Sequence, residues 1–131
     1  MSFSNYLENA LLDHIFGNAT FSTPAEVYVA LFDADPGETG AANEISGNAY
    51  ARVATSGSHW NSASGGSLTN ALDIQFPQAS GGSWGTITHF GIFDSGSTGN
   101  FLGGGSLNSS KAVAEGDTPK FSAGDITITL D

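Results

Sequence analysis

The sequence predicts a mainly β fold: an antiparallel β-sandwich, jelly-roll-like, with one N-terminal α-helix, in a single domain over residues 1–131. Three observations carry that expectation. Eighteen glycines, with many Ser, Thr and Asn, punctuate short apolar runs, the pattern of short strands joined by tight turns. The closing "GDITITLD" alternates strictly, with Ile126, Ile128 and Leu130 on one side and Thr127 and Thr129 on the other. Helical spacing is confined to the opening "SNYLENALLDHIFGN". At this length a chain buries roughly two thirds of its unfolded surface, so the core needs no disulfide or metal staple.

The elements follow in order. Leu7, Leu11 and His14 or Ile15 recur at helical intervals, Asn5 with Glu8 resembles a capping box, and Gly17 supplies a stop; together they predict a helix over about 4–16. Its apolar stripe must pack on the sheet or on a neighbouring subunit. "EVYVALFD" is apolar almost throughout, which predicts a strand buried on both faces. "AYARVAT" (49–55) is a weaker strand. "LDIQF" places Ile74 and Phe76 on one face, and Pro77 ends it. "GTITHFGIFD" (85–94) is long and rich in β-branched and aromatic residues, with His89 in register with Ile87 and Phe93. "NFLGGGSL" and "SKAVAE" read as two short strands with a turn between them. The links "SGSTGN" and "AEGDTP" are turn chemistry, and the repeated "ASGGS" (63–67 and 79–83) is shared loop composition without repeated strands.

Charge excludes several classes. Thirteen acids stand against Arg52, Lys111 and Lys120, a formal net charge of −10. Nucleic-acid binding needs cations that displace phosphate counterions, and an anionic membrane asks the same, so neither is an expected partner. The first seventeen residues lack a basic region followed by a long apolar run, so no signal peptide is expected, and no apolar stretch has the length of a membrane span. The sequons at Asn18 and Asn108 are therefore expected to carry nothing.

Motifs for chemistry are sparse. "DADPGETG" (33–40) packs Asp33, Asp35 and Glu38 into one loop. Counted as an EF-hand it has Asp33, Asp35 and Glu44 at positions 1, 3 and 12. Gly37 then stands at the third ligand position and Glu38 at the turn glycine. A looser calcium site is conceivable, but Asp-Pro-Gly as a tight turn with solvated acids reads better. "GGSWG" (81–85) matches the pattern of a nucleophile elbow at Ser83, but a strand-like segment follows where a helix should. His14, His59 and His89 show no zinc spacing; His14 and His89 read as core or interface residues bonded to backbone, and no geometry supports a His89–Asp94 acid–base pair. Trp60 and Trp84 could be sugar platforms, though a Trp among glycines more often packs beneath its own loop. The "GGG" at 103–105 lacks the Lys and the helix of a phosphate cradle. The expectation is no catalytic residue, no cofactor, no metal and no small-molecule substrate.

Taken together, "NYLENALLDHIFG", "VYVALFDADPGETGAANEISGNAYARV", "FPQASGGSWGTITHFGIFD", "GNFLGGGSL" and "KFSAGDITITLD" resemble small virion proteins of tailed bacteriophages, often labelled tail-fibre proteins. The resemblance covers nearly the whole chain and rests on turn and sheet residues, so it transfers no site. It implies a structural component of the particle. One placement is a capsid decoration (cement) protein on the outer shell, a homotrimer bridging the major capsid protein after synthesis in the host cytoplasm; the other is a tail or fibre component, with a virion-associated carbohydrate-binding module using Trp60, Trp84 and a loop calcium as a further alternative. The short body without heptads or fibre repeats, and the negative charge, tilt the expectation toward decoration. The N-terminal helix is the expected docking or trimer element, or else a cap on one end of the sandwich.

Overall fold

The computed structural model describes residues 2–130. Among them are nine strands, one α-helix and one short 3-10 helix: β1 (Ser2–Phe3), α1 (Asn5–Ile15), β2 (Val27–Phe32), β3 (Val53–Thr55), the 3-10 turn Gly57–His59, β4 (Ser67–Thr69), β5 (Ile74–Gln75), β6 (Gly85–Phe93), β7 (Phe101–Val113), β8 (Lys120–Phe121) and β9 (Thr127–Thr129). Every pairing is antiparallel. The fold is mainly β with one N-terminal helix, as the glycine-punctuated pattern predicts.

One layer is a five-stranded sheet in the order β1-β7-β6-β2-β3. The second layer is two separate ribbons, β4-β9 and β5-β8. The main core lies between them. Val29 and Leu31 of β2 and Ile87, Phe90 and Ile92 of β6 meet Ile74, Phe76 and Ile126 from the ribbon side. Phe121 joins the layers, its ring 5.9 Å from that of Phe90 and 6.2 Å from that of Phe76.

Alternation along β2 explains the run of apolar residues. Val29 and Leu31 face the main core, while Ala30 and Phe32 face the other side of the sheet, where Phe93 and Phe101 complete a second aromatic cluster. That cluster is roofed by the loop after β2, in which Pro36 and Gly40 are buried. Gly40 sits at φ +61, and a Cβ there would lie 2.6 Å from Phe101 Cδ1 and 2.7 Å from Phe93 Cζ. Only a glycine lets the loop close so tightly.

The structure corrects several local expectations. The helix is capped by Ser4, whose Oγ accepts the Leu7 N–H at 3.2 Å; Asn5 is already its first residue. Of the 49–55 segment, only Val53–Thr55 is strand. The two short strands expected at 100–107 and 110–115 are one, β7, which folds back along β6. Its register shows why the sequence misleads. Gly91 pairs with Gly104 but Ile87 pairs with Lys111, so β7 carries three more residues than β6 between those rungs. The excess lets β6 change face: Ile87 and Phe90, an odd number apart, both enter the main core, and Phe93 enters the other cluster. His89 therefore does not share a face with Ile87. At the end of the chain β9 is a short ribbon strand: Ile126 is buried, Ile128 half-buried and Leu130 59 % exposed.

Candidate functional site

The acidic loop is held by its own backbone. The Asp35 carboxylate accepts the Gly37 N–H at 2.8 Å, the Asn43 amide donates to the Asp35 carbonyl, and the Gly40 N–H reaches the Pro36 carbonyl at 3.1 Å. Glu38 leaves the loop to accept the Asn5 N–H at 2.9 Å, at the positive end of α1. Glu44 is taken by an arginine. The carboxylates that a calcium loop would converge are thus turned to separate tasks, and no group of three or more metal-ligating side chains occurs among the described residues.

Arg52 is the most densely engaged polar residue among those described, and nothing in its local sequence hints at it. Its guanidinium binds both oxygens of Glu44 at 2.9 and 3.0 Å and donates to the Ser95 and Thr98 carbonyls at 2.8 Å each. It also lies 3.5 Å over the Phe93 ring. One planar side chain so ties the 33–52 loop region to the 94–100 turn. That turn closes on itself through Asp94, which accepts the Asn100 N–H and side-chain amide at 2.7 and 2.8 Å. Asp94 does not meet His89, whose Nδ1 instead faces the Thr88 hydroxyl at 2.8 Å.

The remaining sequence candidates are also structural. Ser83 is followed by strand β6, and its Oγ accepts the Gly85 N–H at 2.8 Å, so the elbow context is not met. Trp84 is buried, donates to the Asn48 carbonyl at 2.9 Å and packs edge-on against Tyr50 at 5.3 Å; it offers no open face to a sugar. Trp60 is half-buried and donates to Thr55 Oγ1. His14 is exposed on α1, where its Nδ1 accepts the Phe21 N–H, which overturns its core reading; His59 ends the 3-10 turn and accepts the Ser56 N–H. The glycines at 103–105 serve packing: a Cβ on Gly104 would lie 2.6 Å from the Phe90 carbonyl oxygen.

Two groups missed by the sequence organise the interior. The Asn70 side chain is buried with all three polar contacts made, donating to the Leu72 and Ser122 carbonyls and accepting the Ile126 N–H, each at 2.9 Å. The Tyr50 hydroxyl accepts the Leu31 N–H at 3.0 Å, just beyond the last rung that β3 provides to β2. Burial pushes the Tyr50 phenol well above its ordinary value of 10.0, and the nearby Glu44 carboxylate pushes the same way, against the Leu31 hydrogen bond and Arg52.

The four most exposed large apolar side chains among the described residues gather beside the helix, apart from the less exposed Tyr6 and Leu72. Leu12, Ile15 and Phe16 are 57 %, 73 % and 76 % exposed, and with Leu130 they border an open groove of about 530 Å³ between α1 and the end of β9. Leu7 packs against the core and no residue of α1 is fully buried. The helix is fixed to the body at its first turn: the Ser4 N–H donates to the Leu102 carbonyl at 2.9 Å and its Oγ to the Phe101 carbonyl. The helix is thus anchored at its first turn and carries a contiguous exposed apolar flank toward its other end.

The sheet body and bare helix do not by themselves name a class, and comparison with known sequences supplies it. Residues 2–129 match a family of bacteriophage virion structural proteins. The chain belongs to that family, described as Podophage GP4 fiber I protein gp80. No curated protein matches the chain.

Proposed function

We infer that the chain is a structural subunit of the phage particle that works by surface fit and transforms no molecule. The observation that carries this reading is the anchored, unburied flank of α1. Four large apolar side chains on a body of net charge −10 are costly to leave in water and are rewarded only by contact. The occupant is a second copy of the same chain. Three such helices closing around a three-fold axis bury the patch on every copy, and because each body repels the others electrostatically, the contact must be apolar. The trimer then engages other virion proteins with three-fold avidity.

The family description favours a seat in the fibre assembly. A second seat is favoured by the sequence: a short chain without heptads or fibre repeats, strongly acidic, suits a decoration protein on the capsid exterior, bridging the major capsid protein and stabilising only the assembled shell. Cryo-microscopy of whole particles, with the protein content of separated heads and tails, tests both. Density for this fold along a fibre supports the first; density at capsid three-fold positions supports the second. Absence from purified particles overturns both.

A further inference from the structure

The cationic side chains are placed unevenly. Arg52 is committed to Glu44 and to two carbonyls. The other two, Lys111 on β7 and Lys120 on β8, line the same crevice, about 460 Å³, between the sheet and the ribbons. They also line a small apolar notch of about 60 Å³ with Leu31, Phe76, Ile87 and Val113. The excess residues of β7 shape this place, since Leu107, Asn108 and Ser109 form part of the crevice wall. Lys111 makes no ion pair among the described residues, and Lys120 has one exposed partner, Asp73 at 3.3 Å. One carboxylate, Asp125, borders the crevice, where it accepts the Ser122 N–H at 2.8 Å. The half-buried Phe121 ring forms another part of the wall.

We propose that this crevice binds an anionic saccharide, a pyranose carrying one carboxylate or phosphate. The anion lies on Lys111 and Lys120. Ser106, Asn108 and Thr127 bond the sugar hydroxyls, and the apolar C–H face or an N-acetyl methyl rests on Phe121 and enters the notch. The charge of the whole molecule selects for this class. A polyanion such as a nucleic acid extends beyond the crevice into a field of −10, whereas a single negative group on an otherwise neutral glycan sits beside Lys111 and Lys120, with Asp125 at the border and Asp73 on Lys120 as the nearby carboxylates. The hydroxyl- and amide-rich wall suits a polyhydroxylated ligand better than an acidic peptide. The proposal stands independently of the protein's seat in the virion.

The test is an NMR titration of the full chain at low salt with glucuronate, glucose 6-phosphate, glucose, inorganic phosphate and a glutamate-rich peptide. The expected result is saturable shifts at the amides of Asn108, Lys111 and Phe121 with one or both acidic sugars, and binding of glucose about tenfold weaker. The two acidic sugars decide between carboxylate and phosphate. The double variant Lys111→Gln, Lys120→Gln alters two exposed side chains, keeps the fold by circular dichroism, and is expected to weaken acidic-sugar binding by about tenfold or more. Equal binding of glucose, equal binding of inorganic phosphate or of the peptide, no shift with either acidic sugar, or an unaffected double variant would each overturn the proposal.

Discussion

At the scale of single residues, Arg52 carries more than any other polar side chain. Its side chain is 10 % exposed and that of its partner Glu44 is 19 %, so truncation leaves a half-buried carboxylate and two carbonyls without donors. Arg52→Ala is expected to lower unfolding stability by about 2–4 kcal/mol. Arg52→Lys should recover less than half of that loss, because a point-like ammonium cannot span both Glu44 oxygens and both carbonyls. Urea denaturation of the three proteins measures this; a lysine variant as stable as the parent would show that charge alone matters. Tyr50 gives a pH dependence. Its folded-state pKa is raised, so its contribution is complete below about pH 10 and is lost as pH climbs from there toward the folded value, because the unfolded chain ionises first. Tyr50→Phe should cost about 1–3 kcal/mol near neutrality by stranding the Leu31 N–H, and should flatten the alkaline limb of the stability curve. Thermal melts across that range are the measurement. Neither residue was legible from sequence: nothing near Arg52 announces Glu44, Ser95 and Thr98 as partners, and a tyrosine in a weak strand does not reveal which backbone amide it will meet.

At the scale of elements, local pattern was readable wherever one face decides the choice. The helix, β2 and the paired burial of Ile74 and Phe76 all follow from periodicity. Where register changes, periodicity fails. Strict alternation places Ile87 with Phe93, and only the three-residue excess in β7, a property of pairing rather than of either strand, separates them. The same excess hid the continuity of β7, because Asn108 and Ser109, between the strand-like "NFLGGGSL" and "SKAVAE", read as a turn when their partner is unknown. The acidic loop was legible only in part: it is a turn with Asp33, Asp35 and Glu38 exposed, as its residues predict. Its residues look solvated, yet Pro36 and Gly40 roof an aromatic cluster that forms only once β2, β6 and β7 have assembled. The helix start offers a sharp check. Ser4→Ala removes both the cap on Leu7 and the tether to the Phe101 carbonyl, so it should cost about 1–2 kcal/mol and raise amide hydrogen exchange throughout α1. Slowed or unchanged exchange in α1 would mean that Leu7 alone holds the helix.

For the whole molecule, the body and its bare flank are separable. Leu12→Ser, Ile15→Ser and Phe16→Ser touch side chains more than half exposed, so the triple variant should unfold at nearly the parent temperature while losing its oligomer by light scattering. Deleting the N-terminal segment would confuse the result, since it would also remove β1, the Ser4 tether and the Leu7 contact. A parent protein that is monomeric at particle-like concentration, or a triple variant that still associates, would refute the self-association reading.

The doubled-back stretch of β7 has a further meaning for how the chain avoids pairing with its own kind. Apart from the rungs at Gly103 and Gly104 that β1 covers, the outer border of β7 is open within its sheet, and an open border invites a stranger's backbone. The insertion buckles that border at its midpoint, and Lys111 stands guard beside the buckle. Excising residues 108–110 would bring every rung from Gly85 to Ile92 onto one offset, straighten the rim and press Ile87 toward the wrong face. Such a shortened chain should gather into thioflavin-positive fibrils at concentrations where the parent stays clear; if it remains dispersed, the buckle is not what keeps crowded neighbours from zipping together.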